Sequence, residues 1–146
     1  MLLTMPHAAI RHVHQPDNHS CVVACLAMVT GLSFAAVRRE LGRHVCPSCG
    51  VTDKVFYAFL ANHGYAVQRI ARKNAYRTGK RHPWPPVPFA DVHVASVKTT
   101  GYQKAAHAVV WFRDGRVFDP ELRAPVTIEI YAKVIDVVGI HRVNRP

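Results

Sequence analysis

No run of apolar side chains in these 146 residues approaches the roughly 20 needed to cross a bilayer. The amino terminus, Met1-Leu2-Leu3-Thr4-Met5-Pro6, is apolar but too short for the core of a secretory signal, and it has no basic start. The sequence therefore predicts a cytoplasmic protein, or one delivered by a route that needs no such signal. Internal repeats, low-complexity tracts and linkers are also missing. Residues 1–146 accordingly read as a single domain, long enough to bury a real core. With 49% hydrophobic and 19% charged residues, the composition excludes a disordered chain. Acidic residues are scarce, 9 against 19 Lys and Arg, which leaves a formal charge of +10 at pH 7. That excess suits an acidic partner such as nucleic acid, an anionic surface or an acidic protein. The densest basic cluster is Arg69, Arg72, Lys73, Arg77, Lys80 and Arg81, where Tyr76 alone offers a ring for base stacking. A basic, solvated surface accounts for the same charges, which are spread along the chain.

Cysteine is limited to four positions, 21, 25, 46 and 49. Without an export signal an even count does not imply a disulfide framework, so the sequence reads them as thiols, at least one of them a candidate for reactivity. Cys46-Pro47-Ser48-Cys49 has the spacing of half a zinc knuckle or of a redox pair. A zinc site would need two further ligands, for which His44 and His63 are nearest. The alternative is an ordinary loop pair, and no βαβ context supports a thioredoxin-like role. Histidine, by contrast, is plentiful, with ten residues. His7, His12, His14 and His19 crowd the region around Gln15 with a spacing that matches no helix face.

Helical signals fill the first half. Ser20 precedes an apolar stretch from Cys21 to Met28 that stops at Gly31, and a helix apolar all round should be buried. Ser33 precedes Phe34–Leu41, closed by Gly42; Thr52 precedes Asp53–Asn62, closed by His63-Gly64. The second half alternates as strands do, at 65–71, 92–97, 107–112, 116–118, 126–130 and 134–143. Between them, His82-Pro83-Trp84-Pro85-Pro86-Val87-Pro88 can be neither helix interior nor central strand. Helices first and strands later predict an α+β domain with a mostly antiparallel sheet.

Chemistry enters at Cys21. A cysteine attacks as its thiolate, which a helix N-terminus and a neighbouring imidazolium both favour. Cys21 occupies the first turn of the predicted helix, where its own N–H is also free to meet an oxyanion. Cys25, one turn further in, should be core. Gln15 lies six residues earlier, on a loop extended by Pro16, and its amide could face the same oxyanion. His107 to Pro120 reads as a hairpin turning at Asp114-Gly115. A two-residue turn would put His107 and Asp119 on opposite faces. A three-residue loop with Gly115 in a left-handed bulge would put them on one face as diagonal neighbours, and the sequence predicts that bulged turn. His14 and His19 are rivals to His107 as the base; His107 is preferred because Asp119 can fix its tautomer.

These residues resemble the papain-like peptidases that cut double-glycine leaders from bacteriocins. That family has a Gln, a short polar loop, then Cys opening a helix of the form Cys-x-x-Ala-Cys-Leu-Ala-Met; here Gln15 is followed by Cys21-Val22-Val23-Ala24-Cys25-Leu26-Ala27-Met28. His107-Ala108-Val109-Val110 and Asp119-Pro120 are similar in type and order to its later motifs, and Gly50-Val51-Thr52 to a middle one. The resemblance runs roughly from Gln15 to Pro120. It implies a papain-like fold, with N-terminal helices packed on a C-terminal sheet, and a cysteine peptidase cutting a peptide or isopeptide bond. In it Cys21 is the nucleophile, His107 base then acid, Asp119 the orienting group and Gln15 part of the oxyanion hole. No cofactor is called for. Val22 stands where the family usually has Gly, and no transporter segment follows, which points to a stand-alone form. The cleft is expected between the loop before Cys21 and the segment from Trp84 to Phe89. The reading from another class is a basic binding module on the same scaffold, engaging nucleic acid or an acidic protein.

Overall fold

Two of the three α-helices among the described residues begin where a hydroxyl meets a free backbone donor. Ser33 Oγ accepts from Ala36 N at 3.1 Å and Thr52 Oγ1 from Val55 N at 3.4 Å, which opens α2 (Phe34–Leu41) and α3 (Asp53–Asn62). The first helix, α1 (Cys21–Thr30), has Ser20 in the capping position, but the Ser20 side chain makes no capping bond. Its burial holds it instead: every residue from Val23 to Val29 is buried. Gly31, at φ +76°, ends it with its N–H on Ala27 O at 3.0 Å. The computed structural model describes residues 4–5, 9–46, 50–70, 87–98 and 106–143.

The strands are β1 (Thr4–Met5), β2 (Tyr65–Ile70), β3 (Val92–Lys98), β4 (His107–Phe112), β5 (Arg116–Phe118), β6 (Val126–Thr127) and β7 (Lys133–Val143). They form one seven-stranded sheet in the order β1-β7-β3-β4-β5-β6, with β2 also paired to β7. Every pairing is antiparallel. β1 and β2 both pair at Arg142, so they flank β7 on opposite edges and β1 prolongs the line of β3. The stretch 126–130, which alternates like a strand, is strand only at Val126–Thr127. Ile128–Ile130 turns as a 3-10 helix that buries Ile128 and leaves Ile130 exposed.

Period two divides the core. On β4, Ala108, Val110 and Phe112 face α1, α2 and α3, while Val109 and Trp111 face a second cluster with Ala95, Val97, Val117, Tyr131 and Val137. Both faces of this strand are covered, and all six of its residues are buried. His93 links the layers: its Nε2 accepts from Phe89 N (3.2 Å) and Ala90 N (3.0 Å), and Nδ1–H donates to Trp111 O (2.9 Å). Burial holds its pKa below the usual histidine value, consistent with a neutral ring whose two nitrogens are both engaged.

Phe89 lies against Gly139 of β7. A Cβ at Gly139 would meet Phe89 Cε2 at 2.7 Å and Ala90 Cβ at 3.0 Å. Gly139→Ala is therefore expected to cost about 1–3 kcal/mol, read as a lowered midpoint in thermal or urea unfolding, with the fold retained. Among the described residues no single helix is long and apolar enough to cross a membrane.

Candidate active site

Cys21 is the first residue of α1, half-buried at the end of a helix whose next turns are anchored in the core. His107 is the first residue of β4 and Asp119 follows the last residue of β5. β4 and β5 pair Val110 with Phe118 and Trp111 with Val117. That register belongs to a three-residue connection, Arg113-Asp114-Gly115. Gly115 takes φ +97° and its N–H bonds Phe112 O at 3.0 Å. Extended by one pair, it sets Asp119 opposite Val109, two residues from His107 on the same face.

The two side chains meet there. His107 Nε2–H donates to Asp119 Oδ1 at 2.6 Å, with His107 6% and Asp119 2% exposed. The remaining ring nitrogen, Nδ1, is the one left for Cys21, which lies close enough to help raise the pKa of the ring. Helix tip, strand start and hairpin corner thus converge on one line from sulfur to imidazole to carboxylate. Burial of the ring opposes its charge. The hydrogen bonds to Asp119 and Cys21, with the charges they carry, outweigh burial and raise the His107 pKa to about 10. Asp119 shows the converse balance: burial raises its pKa, but bonds from His107, Tyr131 and the Glu121 N–H hold it below the ordinary carboxylate value. Cys25, 0% exposed, has its thiol pKa pushed well up, first by burial and then by Cys21 and Asp119.

Several partners of Asp119 were not singled out as site residues from sequence. Tyr131 OH donates to Asp119 Oδ2 at 2.6 Å, and Glu121 N to Oδ1 at 2.9 Å. His12 Nε2 bonds the Asp119 carbonyl at 2.6 Å while its ring stacks on Phe118 at 4.8 Å. Nothing in the sequence links either ring to Asp119. Of the rival histidines, His14 stacks on His12, and His19 is exposed with its N–H on Asp17 Oδ1 at 2.8 Å. His7 lies outside the described residues.

Gln15 reaches this corner through its backbone, whose N–H donates to Pro120 O at 3.0 Å. Its side-chain Nε2 donates to Asp17 O at 2.6 Å, and its Oε1 is buried without a hydrogen-bond partner. One amide hydrogen is thus committed to the loop itself and one remains. A cleft of about 690 Å³ opens between the loop from His14 to Asn18 and the turn Pro120, Glu121, Arg123. Cys21, His107 and Asp119 are not among its lining residues, and one wall is the loop that holds Gln15. The other is the turn after Asp119, whereas Phe89 is docked on β7; Trp84 to Pro86 lie outside the described residues.

The other candidates resolve differently. Cys46 is disulfide-bonded rather than a free thiol, which corrects the sequence expectation; Cys49 lies outside the described residues. His63 Nε2 bonds the Glu40 carboxylate at 2.7 Å, so neither Cys46 nor His63 is presented to a zinc ion. Among the described residues His107, Asp119 and Glu121 bring ligand atoms within 4.8 Å of one another. Of these, His107 Nε2 and Asp119 Oδ1 are already bonded to each other at 2.6 Å. Within the basic cluster only Arg69 is described, and its guanidinium pairs with Asp136 at 2.8 Å and Asp53 at 3.5 Å.

Helices packed on an antiparallel sheet make an α+β fold. The fold is shared with solved double-glycine peptidase domains. One is a double glycine motif protease from an AMS/PCAT transporter in complex with the leader peptide, at 16% identity and TM-score 0.58 over 97% of both chains. Another is the peptidase domain of Streptococcus ComA, a bifunctional ABC transporter of a quorum-sensing pathway. It is 15% identical with TM-score 0.53, over 89% of this chain and 96% of that one. No protein-family model matches the chain, and no curated protein matches its sequence.

Proposed function

We propose that the chain is a cysteine peptidase that works by acyl transfer to Cys21. The observation that carries this reading is the buried His107–Asp119 pair, 2.6 Å apart, beside Cys21 at the tip of α1, with the His107 pKa raised to about 10. His107 Nδ1 takes the Cys21 thiol proton, which leaves the sulfur as the attacking thiolate. The thiolate attacks the scissile carbonyl carbon, and the oxyanion is met by the Cys21 N–H at the helix tip and the remaining Gln15 amide hydrogen. His107 Nδ1–H then protonates the departing amine as the C–N bond breaks, which leaves a thioester. A water gives a proton to the same nitrogen, attacks the thioester and releases the acid and the thiol. Asp119 holds Nε2–H throughout and keeps Nδ1 turned to the sulfur.

The substrate class we propose takes its lead from one fold relative, a double glycine motif protease in complex with the leader peptide: a peptide with Gly-Gly on the acyl side of the cut bond. Two glycines present no side chain to hinder the approach of the carbonyl to a sulfur that is only half-exposed. The test is to incubate the protein with synthetic peptides containing Gly-Gly and with matched Ala-Ala peptides, and to identify products by mass spectrometry. Cleavage after the second glycine, absent after thiol alkylation, is expected. Undiminished cleavage by alkylated protein would remove the reading.

A further inference from the structure

Two buried or half-buried tyrosines place their hydroxyls in opposite kinds of surroundings. Tyr65 OH donates to a backbone carbonyl, Val29 O, at 3.1 Å, the ordinary way to satisfy a phenol in a core. Tyr131, 2% exposed and packed with Val109, Trp111 and Val117, instead donates to the free oxygen of the Asp119 carboxylate at 2.6 Å. We infer that Tyr131 is a positioning residue: its hydroxyl fixes the Asp119 carboxylate so that Oδ1 stays on His107 and Nδ1 stays turned to Cys21. This rests on the peptidase reading above and adds a fourth group to its line.

The geometry leaves little else for that carboxylate. Oδ1 accepts from His107 Nε2 and Glu121 N, and Oδ2 accepts from Tyr131. With both oxygens held the group cannot rotate about its last bond, and it remains ionised despite burial. Remove the phenol oxygen and Oδ2 faces the apolar cluster unpaired, at the cost attached to any orphaned buried acceptor. The carboxylate relieves this by turning or by binding a proton, and either response weakens its hold on the imidazolium. The charged and titratable groups around Tyr131 are Asp119, Cys25 and Glu121; those around His107 are Asp119 and Cys21. Tyr131 lies on the short connection between the 3-10 turn Ile128–Ile130 and β7, with its N–H on Ile128 O at 3.3 Å. The ring is therefore fixed by backbone as well as by packing.

The test reads His107 directly. In isotope-labelled protein its imidazole resonances, assigned by their loss in His107→Gln, should titrate near 10. Tyr131→Phe should lower that midpoint by about one pH unit and slow alkylation of Cys21 by iodoacetamide at pH 7 by roughly tenfold. Tyr131→Gln, which keeps a donor, should recover part of both. In an Asp119→Asn background, adding Tyr131→Phe should change little, because the phenol acts through the carboxylate. A Tyr131→Phe protein that folds but titrates and reacts as wild type overturns the inference. So does additivity of the two changes. Should Tyr131→Phe fail to fold, the wild-type protein still decides: the Tyr131 hydroxyl proton must give a slowly exchanging resonance, and its absence overturns the inference. The peptidase reading fails separately, if Cys21→Ala cleaves peptide as wild type does.

Discussion

Peptide cleavage should fall by about 10⁴-fold or more when Cys21 is exchanged for Ala, and nearly as far for Ser. The loss is chemical rather than structural. Cys21 is half-buried at the helix tip, and its replacement leaves the packed residues from Val23 to Val29 untouched. The unfolding midpoint should therefore move little, within about 0.5 kcal/mol. Cys25 cannot take over, since it is 0% exposed and burial keeps its thiol protonated. Cleavage kinetics and a urea unfolding curve on the same two variants separate these effects. A Cys21→Ala protein that retains cleavage would assign the activity to another group.

The second large effect concerns the histidine and its carboxylate. His107→Gln removes the base, the acid and the counter-ion of the sulfur together, and should slow cleavage by roughly 10³–10⁴-fold. Asp119 is graded by what replaces it. Asp119→Asn keeps an oxygen for His107 Nε2–H and Glu121 N–H, while the oxygen that accepts from Tyr131 is replaced by an NH₂. The tautomer survives while the charge is lost. Asp119→Ala leaves two buried donors, His107 Nε2–H and Tyr131 OH, without a partner, with about 3–5 kcal/mol lost from stability and lower activity than Asp119→Asn. The pH profile follows from the same shifts. His107 is raised to about 10 from 6.5, so its contribution to stability is complete below 6.5 and is lost as pH rises through about 10. Asp119 is lowered from 3.8, so its contribution is present above 3.8 and is lost as pH falls through the folded value. Cleavage should fail on the alkaline side near 10 in wild type, and at a lower pH in Asp119→Asn. An alkaline limb that stays in place would separate the carboxylate from the ring.

Much of this arrangement is legible in local sequence because local rules produce it. Ser33 and Thr52 cap helices whose limits are those of the apolar pattern, and Gly31 stops α1 by adopting a left-handed φ. The parity argument for His107 and Asp119 rests on one glycine, and the register of β4 and β5 is that of the bulged connection around Gly115. What was not legible depends on contacts across long stretches of chain. His12 meets the Asp119 carbonyl 107 residues away, and two-residue β1 pairs with the far end of β7. Tyr131 is separated from Asp119 by a turn whose residues alternate like a strand. Ile128 is buried, but the next apolar residue, Ile130, turns outward, so periodicity alone could not place the ring behind the carboxylate. Cys46 reads as a thiol because its spacing is equally that of a metal pair, and only coordinates distinguish a disulfide from either. Gln15 is intermediate: its position beside Pro120 follows from the loop, whereas the bond from its amide to Asp17 does not.

The coupling of sulfur to imidazole is tested most directly without any substrate. Iodoacetamide reacts with the thiolate form, and its rate at Cys21 can be followed at pH 6 by mass spectrometry in wild type and in His107→Gln. The ion pair predicts a rate at least about tenfold higher in wild type, with Cys25 unmodified in both. Equal rates would mean that Cys21 reacts as a solitary thiol, and the line from Cys21 through His107 to Asp119 would have no chemical consequence.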